Sequence, residues 1–177
     1  MKEISVCEGK KIFVFDDLFS LYERSIFYSF VNNSLFKITG SDRSASAYKN
    51  KITSPYGEDD VINMGFYKTK GFDILNNKFN FNIEKKQIRV NCSTSSESCE
   101  VHHDGEGLTL LYYANLNWEL SWSGHTIFLN ENLTDIEYVS AYKPGRVVVF
   151  DGTIPHMTML SNHQAKDNRL TFVIQYK

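Results

Sequence analysis

The stretch RLTFVIQY (Arg169–Tyr176) decides the fold. Successive side chains of a strand alternate between faces. Arg169, Thr171, Val173 and Gln175 therefore share one face, and Leu170, Phe172, Ile174 and Tyr176 the other. The second face is wholly apolar or aromatic and has to be covered. The first points inward and opens with an arginine, and a guanidinium taken out of water needs an anionic partner.

Upstream of this strand, short β-prone runs alternate with turns from Lys86 onward: QIRVNC, CEVHHD, LTLLYYANL, HTIFL, IEYVSAY, RVVVF and TIPHM. Lys143-Pro144-Gly145 suits a type II turn, with Pro at the second position and Gly at the third. About eight strands at this spacing imply an antiparallel sandwich or barrel. The N-terminal third supplies the cover. KIFVF (11–15) reads as a strand, and Ser20 and Glu23 have capping-box spacing. Behind them Tyr22, Ile26 and Phe30 form an apolar stripe, widened by Phe27 and Val31 and stopped at Asn32-Asn33. Residues 40–59 read as a mobile polar loop, and 60–78 as helix broken by Gly65 and Gly71.

The whole chain of 177 residues, 42% hydrophobic and 14% aromatic, reads as one domain that buries a core: helical support over 1–85 and a β-core over 86–177. A formal charge of −2 gives no broad nucleic-acid footprint. Cys7, Cys92 and Cys99 are too few and odd in number for a disulfide framework, so a reducing, cytoplasmic setting is expected. The first residues carry no secretory h-region, and no apolar run approaches membrane-spanning length.

Within CEVHHDGEG, the pleat puts His102 and Asp104 on one side and His103 on the other. With five histidines and 21 acidic residues, one His-x-Asp/Glu is expected by chance, so the pair alone reads as a solvated strand end sooner than as a metal site. His156 in FDGTIPHM, and Arg169 with Thr171 on the inward face beyond it, change that reading. Two histidines and one carboxylate from separate strands form the facial triad that leaves positions open on Fe(II). Fe(II) with one carboxylate keeps one positive charge; a dicarboxylate co-substrate overbalances it, and Arg169 restores neutrality. A planar guanidinium grips a carboxylate through two parallel hydrogen bonds. Zinc on Cys92, Cys99 and the histidines is a poorer reading, because no Cys-x-x-Cys pair is present.

These residues resemble the Fe(II)/2-oxoglutarate-dependent dioxygenases, in their prolyl 4-hydroxylase-like branch. The likeness covers most of 86–177 and includes LTLLYYANLNWELSWSGHTIF, YKPGRVVVFDGTIPHM and RLTFVIQY. It implies a double-stranded β-helix (jelly roll), mainly β, with N-terminal helices packed on one sheet. It implies that His102, Asp104 and His156 bind iron, that Arg169 binds the C5 carboxylate of 2-oxoglutarate, and that Thr171 and the hydroxyl of Tyr113 assist it. Two departures stand out. His125 occupies the place of a usual second glycine, which puts it with Trp118 at the pocket rim, and MTMLSNHQAKDN (157–168) lengthens the interval before Arg169 as a surface insertion. The loops at 40–59 and 92–99 are candidate lids. The implied activity is hydroxylation of a substrate C–H bond with Fe(II), 2-oxoglutarate and O2, with ascorbate as an accessory reductant. Its implied target is proline in a protein or peptide. The other readings are an oxygenase acting on a small molecule, a metal-dependent cupin-type enzyme without 2-oxoglutarate, and a non-catalytic jelly-roll binding module.

Overall fold

The computed structural model describes residues 1–34, 37–39, 51–56, 58–81, 85–95 and 100–176. Strands β1 (Lys2–Val6) and β2 (Lys10–Phe15) precede helix α1 (Leu21–Asn32). Strands β3 (Lys37–Thr39) and β4 (Lys51–Tyr56) lead to α2 (Glu58–Met64) and α3 (Lys70–Phe79). Then follow β5 (Lys85–Ser93), β6 (Leu108–Tyr113), β7 (Thr126–Leu129), β8 (Ile136–Ser140), β9 (Val147–Asp151), β10 (His156–Thr158) and β11 (Arg169–Tyr176). Eight strands form a large sheet in the order β1-β2-β9-β6-β11-β5-β4-β3, and β10-β7-β8 form a smaller one. All the pairings are antiparallel. Between the sheets lie Leu111, Tyr113, Val148 and Phe150 from the large sheet, with Phe128 and Ile154 from the other side. This is the expected double-stranded β-helix.

β11 lies between β6 and β5, and both its faces are used as its alternation requires. Leu170, Phe172, Ile174 and Tyr176 enter a core shared with Phe27 and Val31 of α1, Val61 of α2, and Phe72 and Leu75 of α3. Phe66 meets Phe172 edge-on at 5.5 Å, and Phe81 stacks on Tyr176 at 4.2 Å. The helices are thus the cover for the outer face. Fully burying a Leu, Ile or Phe side chain contributes about 1.5–3 kcal/mol, so this face is a large share of the stabilising burial.

The capping box forms: the Glu23 N–H donates to Ser20 Oγ, and the Ser20 N–H donates to the Glu23 carboxylate at 2.7 Å. The buried stripe of α1 is narrower than expected. Phe27 and Val31 are buried, whereas Tyr22 is 75% exposed and Ile26 also reaches solvent. The helix meets the sheet through its later turns, where Phe27 packs edge-on against Phe19 and Tyr112.

Three further expectations need correcting. Residues before 85 are more than helical support, because β1 and β2 extend one end of the large sheet and β3 and β4 the other. Within 40–59, residues 51–56 are strand β4, paired with β5, whereas 40–50 lie outside the described residues. Residues 100–104 form no strand; only a single bridge joins His102 to His156.

Gly65 does end α2, but Gly71 sits inside α3 and breaks nothing. Its role is close approach: a Cβ there would lie 2.5 Å from the Phe19 ring and 2.7 Å from the Leu18 carbonyl oxygen. Gly71→Ala is therefore expected to push α3 off the residues before α1 and cost about 1–3 kcal/mol. Urea unfolding checks this, and a midpoint equal to that of the parent would contradict it.

Candidate metal centre

The site begins with backbone pairing. The His102 N–H donates to the His156 carbonyl and the His156 N–H to the His102 carbonyl, both at 3.0 Å. This reciprocal pair brings the two imidazoles to 4.4 Å between centroids. Asp104 is placed by its N–H donating to the Gly152 carbonyl at 2.8 Å, while the Gly152 N–H donates to the Gly107 carbonyl at 2.8 Å. A Cβ at residue 152 would stand 2.5 Å from the Gly105 carbonyl oxygen, so only glycine lets the loop after Asp104 lie this close to the end of β9.

His102, Asp104 and His156 each offer a ligand atom within 4.8 Å of the others. Asp104 Oδ2 lies 3.5 Å from His156 Nε2 and accepts from Thr109 Oγ1 at 2.7 Å. His156 Nδ1 faces the Ile154 carbonyl at 2.9 Å, and His102 Nδ1 the Glu100 carbonyl at 3.0 Å. A carbonyl only accepts, so each Nδ1 carries the hydrogen and each Nε2 keeps a lone pair. Burial lowers the His156 pKa to about 4, reinforced by His102 and opposed by Asp104. The ring is neutral at pH 7, the form that binds a metal. His103 turns away, with its Nδ1 2.7 Å from the Thr153 carbonyl, as the pleat predicted.

At the other end of the same cavity Arg169 is 2% exposed. Its Nε donates to the Gly124 carbonyl at 2.6 Å and Nη2 to Thr126 Oγ1 at 3.3 Å. The guanidinium carbon lies 5.1 Å from the Tyr142 ring centroid and 5.6 Å from that of Tyr113. Among the described residues no carboxylate pairs with it. Thr171 Oγ1, two residues on and lining the cavity, is buried with no hydrogen-bond partner.

Three sequence expectations are placed elsewhere. Tyr113 does not itself line the cavity; its hydroxyl donates at 2.8 Å to Oγ1 of Thr126, a lining residue whose same oxygen accepts from Arg169, so Tyr113 bears on Arg169 through that threonine and through its ring. His125 Nδ1 accepts from the Tyr142 N–H at 3.1 Å, and burial, then Arg169, lowers its pKa. Trp118 donates from Nε1 to the Ser123 carbonyl at 3.0 Å and lies 4.7 Å from the Tyr142 ring. Among the described residues neither lines the cavity; His125 meets the Tyr142 backbone and Trp118 the Tyr142 ring. The interval 157–168 is not simply a surface insertion either. Thr158, Met159, Leu160 and Ser161 line the cavity, strapped down by the Gly124 N–H to the Leu160 carbonyl and a bridge between Ser123 and Ser161.

The sequence reading missed the wall made by β5. Arg89, Asn91 and Ser93 line the cavity, while Ile88 and Val90 are buried in the core behind. The alternation in QIRVNCS was the available signal. Cys92 and Ser93 of the expected lid belong to this strand, and 96–99 lie outside the described residues. The donor set fits Fe(II) with open positions. The acid-free arginine and the orphaned Thr171 hydroxyl fit a carboxylate at the far end of the cavity.

No family model matches the chain, and neither does any curated protein. Solved structures do match. A prolyl hydroxylase from Trichoplax adhaerens, in complex with a hypoxia inducible factor peptide fragment, shares 18% identity at a TM-score of 0.66, over 93% of this chain and 82% of that one. A Pseudomonas putida prolyl-4-hydroxylase shares 10% at 0.64, over 94% and 92%. The non-heme α-ketoglutarate-dependent epimerase SnoN from nogalamycin biosynthesis shares 10% at 0.68, over 94% and 77%. At these identities the likeness establishes the fold.

The geometry separates the two adjacent histidines. His102→Ala is expected to weaken Mn(II) binding by about a hundredfold, and His103→Ala by no more than about twofold, in calorimetric titration at pH 7. The opposite ranking would mean that His103 is the ligand.

Proposed function

We propose that this chain, which has the fold of the 2-oxoglutarate/Fe(II) oxygenases and a His-x-Asp…His triad within it, is an Fe(II)- and 2-oxoglutarate-dependent dioxygenase that hydroxylates a substrate C–H bond. The observation that carries the reading is Arg169, buried without a described acid at the end of a cavity whose other end is the triad. A buried guanidinium left unpaired costs several kcal/mol, so a ligand carboxylate is its natural partner. His102, Asp104 and His156 would hold the iron, and Arg169 with the Thr171 hydroxyl the distal carboxylate. Iron, 2-oxoglutarate and O2 supply oxidative decarboxylation to succinate and CO2, coupled to insertion of an oxygen atom into the C–H bond.

The chain's own residues supply position. Thr109 donates to one oxygen of Asp104 and so restricts how that carboxylate turns. The Ile154 and Glu100 carbonyls fix which nitrogen each histidine presents. Tyr142 and Tyr113 lay ring faces near the guanidinium, and such contacts favour a cation where water is excluded. Leu111, Phe150 and Val173 keep part of the cavity wall apolar.

The finer proposal is prolyl hydroxylation of a protein or peptide, supported by the fold shared with the two prolyl hydroxylases. Action on a small molecule is the second reading, favoured by the comparable likeness to the epimerase from nogalamycin biosynthesis. A reducing, cytoplasmic setting goes with either, supported by the buried free thiol of Cys7.

The test is succinate formation from 2-oxoglutarate with Fe(II), O2 and ascorbate, with proline-containing peptides and free amino acids as substrates. Arg169→Gln is expected to raise the 2-oxoglutarate KM at least about tenfold by removing a charge-assisted hydrogen-bond partner. Metal-dependent activity indifferent to this change would favour a cupin-type enzyme. Absence of both Fe(II) binding and turnover would favour a binding module. A smaller rise, about threefold, is expected for Tyr142→Leu, which removes a ring lying 5.1 Å from the guanidinium and keeps its charge.

A further inference from the structure

The polar wall of β5 is not among the residues that the oxygenase reading assigns to iron or to the distal carboxylate. Gln87, Arg89, Asn91 and Ser93 occupy alternate positions on this strand, and the last three line the cavity. In the antiparallel register Ser93 stands opposite Arg169, Asn91 opposite Thr171, Arg89 opposite Val173 and Gln87 opposite Gln175. On the other flank of β11, Thr109 pairs with Gln175, and Thr109 is the residue that holds Asp104. The strands therefore run from an arginine end to a metal end. Arg89 stands at an intermediate level, one strand to the side, about 4.8 Å across the sheet from β11.

Arg89 differs from Arg169 in burial. Arg169 is enclosed, while Arg89 lines the cavity and still reaches solvent, which puts it at the mouth. Among the described residues, the charged members of the cavity lining are Arg89, Asp104 and Arg169. With Fe(II) and a dicarboxylate in place, Asp104 and Arg169 complete a neutral set, and the charge of Arg89 is left over. Met159 and Leu160 follow β10 in the opposing sheet, line the same cavity, and are 40% and 44% exposed. The mouth thus has a cationic, amide-bearing side and an apolar side.

We propose that the primary substrate carries a carboxylate that binds Arg89, with its apolar part against Met159 and Leu160. This rests on the oxygenase reading and narrows its substrate to an acid, either a small molecule or a peptide with an acidic side chain beside the reacting residue. Asn91 supplies an amide next to the guanidinium on the same strand face, and Arg89 offers a planar fork suited to a carboxylate.

The test uses the full chain loaded with Mn(II) and 2-oxoglutarate, so that binding is read without turnover. Affinities are measured by calorimetry for acid and amide pairs: N-acetyl-L-proline and its amide, N-acetyl-L-leucine and its amide, and blocked Glu-Pro and Gln-Pro dipeptides. At least one acid is expected to bind about tenfold or more tightly than its neutral partner. Arg89→Gln is expected to bring that ratio close to one, and Arg89→Lys to retain part of it. Preference confined to the first two pairs marks a small acid as the substrate; preference confined to the dipeptides marks an acidic peptide. Failure of every acid to bind, equal affinity within every pair, or a preference that survives Arg89→Gln overturns the proposal. Weaker 2-oxoglutarate binding in Arg89→Gln also overturns it, since Arg89 would then serve the co-substrate. A chain that binds Mn(II) and 2-oxoglutarate but shows no acid preference leaves the oxygenase reading standing, whereas one that binds neither overturns both.

Discussion

Arg169 is the first residue of the central strand, and among the described residues its charge is met by neutral groups: the Gly124 carbonyl, the Thr126 hydroxyl and the faces of Tyr142 and Tyr113. Much of the surrounding structure serves this enclosure. Trp118 and His125 meet Tyr142 from other segments, one through its ring and the other through a backbone hydrogen bond. The Tyr142 hydroxyl in turn donates to the Leu170 carbonyl, which ties the ring to the strand that carries the arginine. A cation buried this way is stabilised partly by dipoles and ring faces and completed only by an anion, so on the proposed reading the bound carboxylate would be a structural component as much as a reactant. A ligand bound to the native state alone raises stability by mass action, and this site joins β6, β10 and β11 in one linkage.

The same strand couples the site to the helices. Each residue on its inner face is followed by one on its outer face, so the position of Thr171 is fixed by the burial of Leu170 and Phe172. A register slip of one residue would put Phe172 in the cavity and Thr171 in the apolar core. The helical layer therefore acts on the site at a distance, by leaving β11 a single register. The close contact of Gly71 with Phe19 and the edge-on contacts of Phe27 belong to that constraint.

The alternation in RLTFVIQY was legible because it is a local, period-two property of a strand. It yielded the arginine and the need for a covering layer, and the same alternation, read across His102-His103-Asp104, picked out two of the three residues of the candidate triad although no strand forms there. Other features were illegible because they depend on remote pairing. Nothing within KEISV or KITSPY says that these segments extend opposite ends of one sheet. His125 and Trp118 were assigned to the rim from their place along the chain, but the turn at Ser123, with φ of +61°, and Gly124 carries them to Tyr142. The strap at 158–161 looked polar and long, and only its pairing with the segment around Ser123 brings Met159 and Leu160 to the cavity. The polar alternation of β5 was within reach of the same reasoning that decoded β11.

The division of labour between strands follows from what each must do. The three residues that could hold a metal are held closely, by a reciprocal backbone pair, a glycine-permitted loop contact and a threonine hydrogen bond. At the other end of the cavity Arg169, Thr171 and Thr126 are likewise buried. Neither leaves room for variation without loss of the site. The side chains of β5 and of the strap after β10 bear no such burden: Arg89, Met159 and Leu160 reach solvent at the mouth. Substitutions there cost little stability and alter what the cavity admits. The matched structures carry hydroxylases and an epimerase on one fold. On the proposed oxygenase reading, substrate identity is then read from β5 and the strap, where a cation and an apolar edge face each other across the opening, and not from the triad.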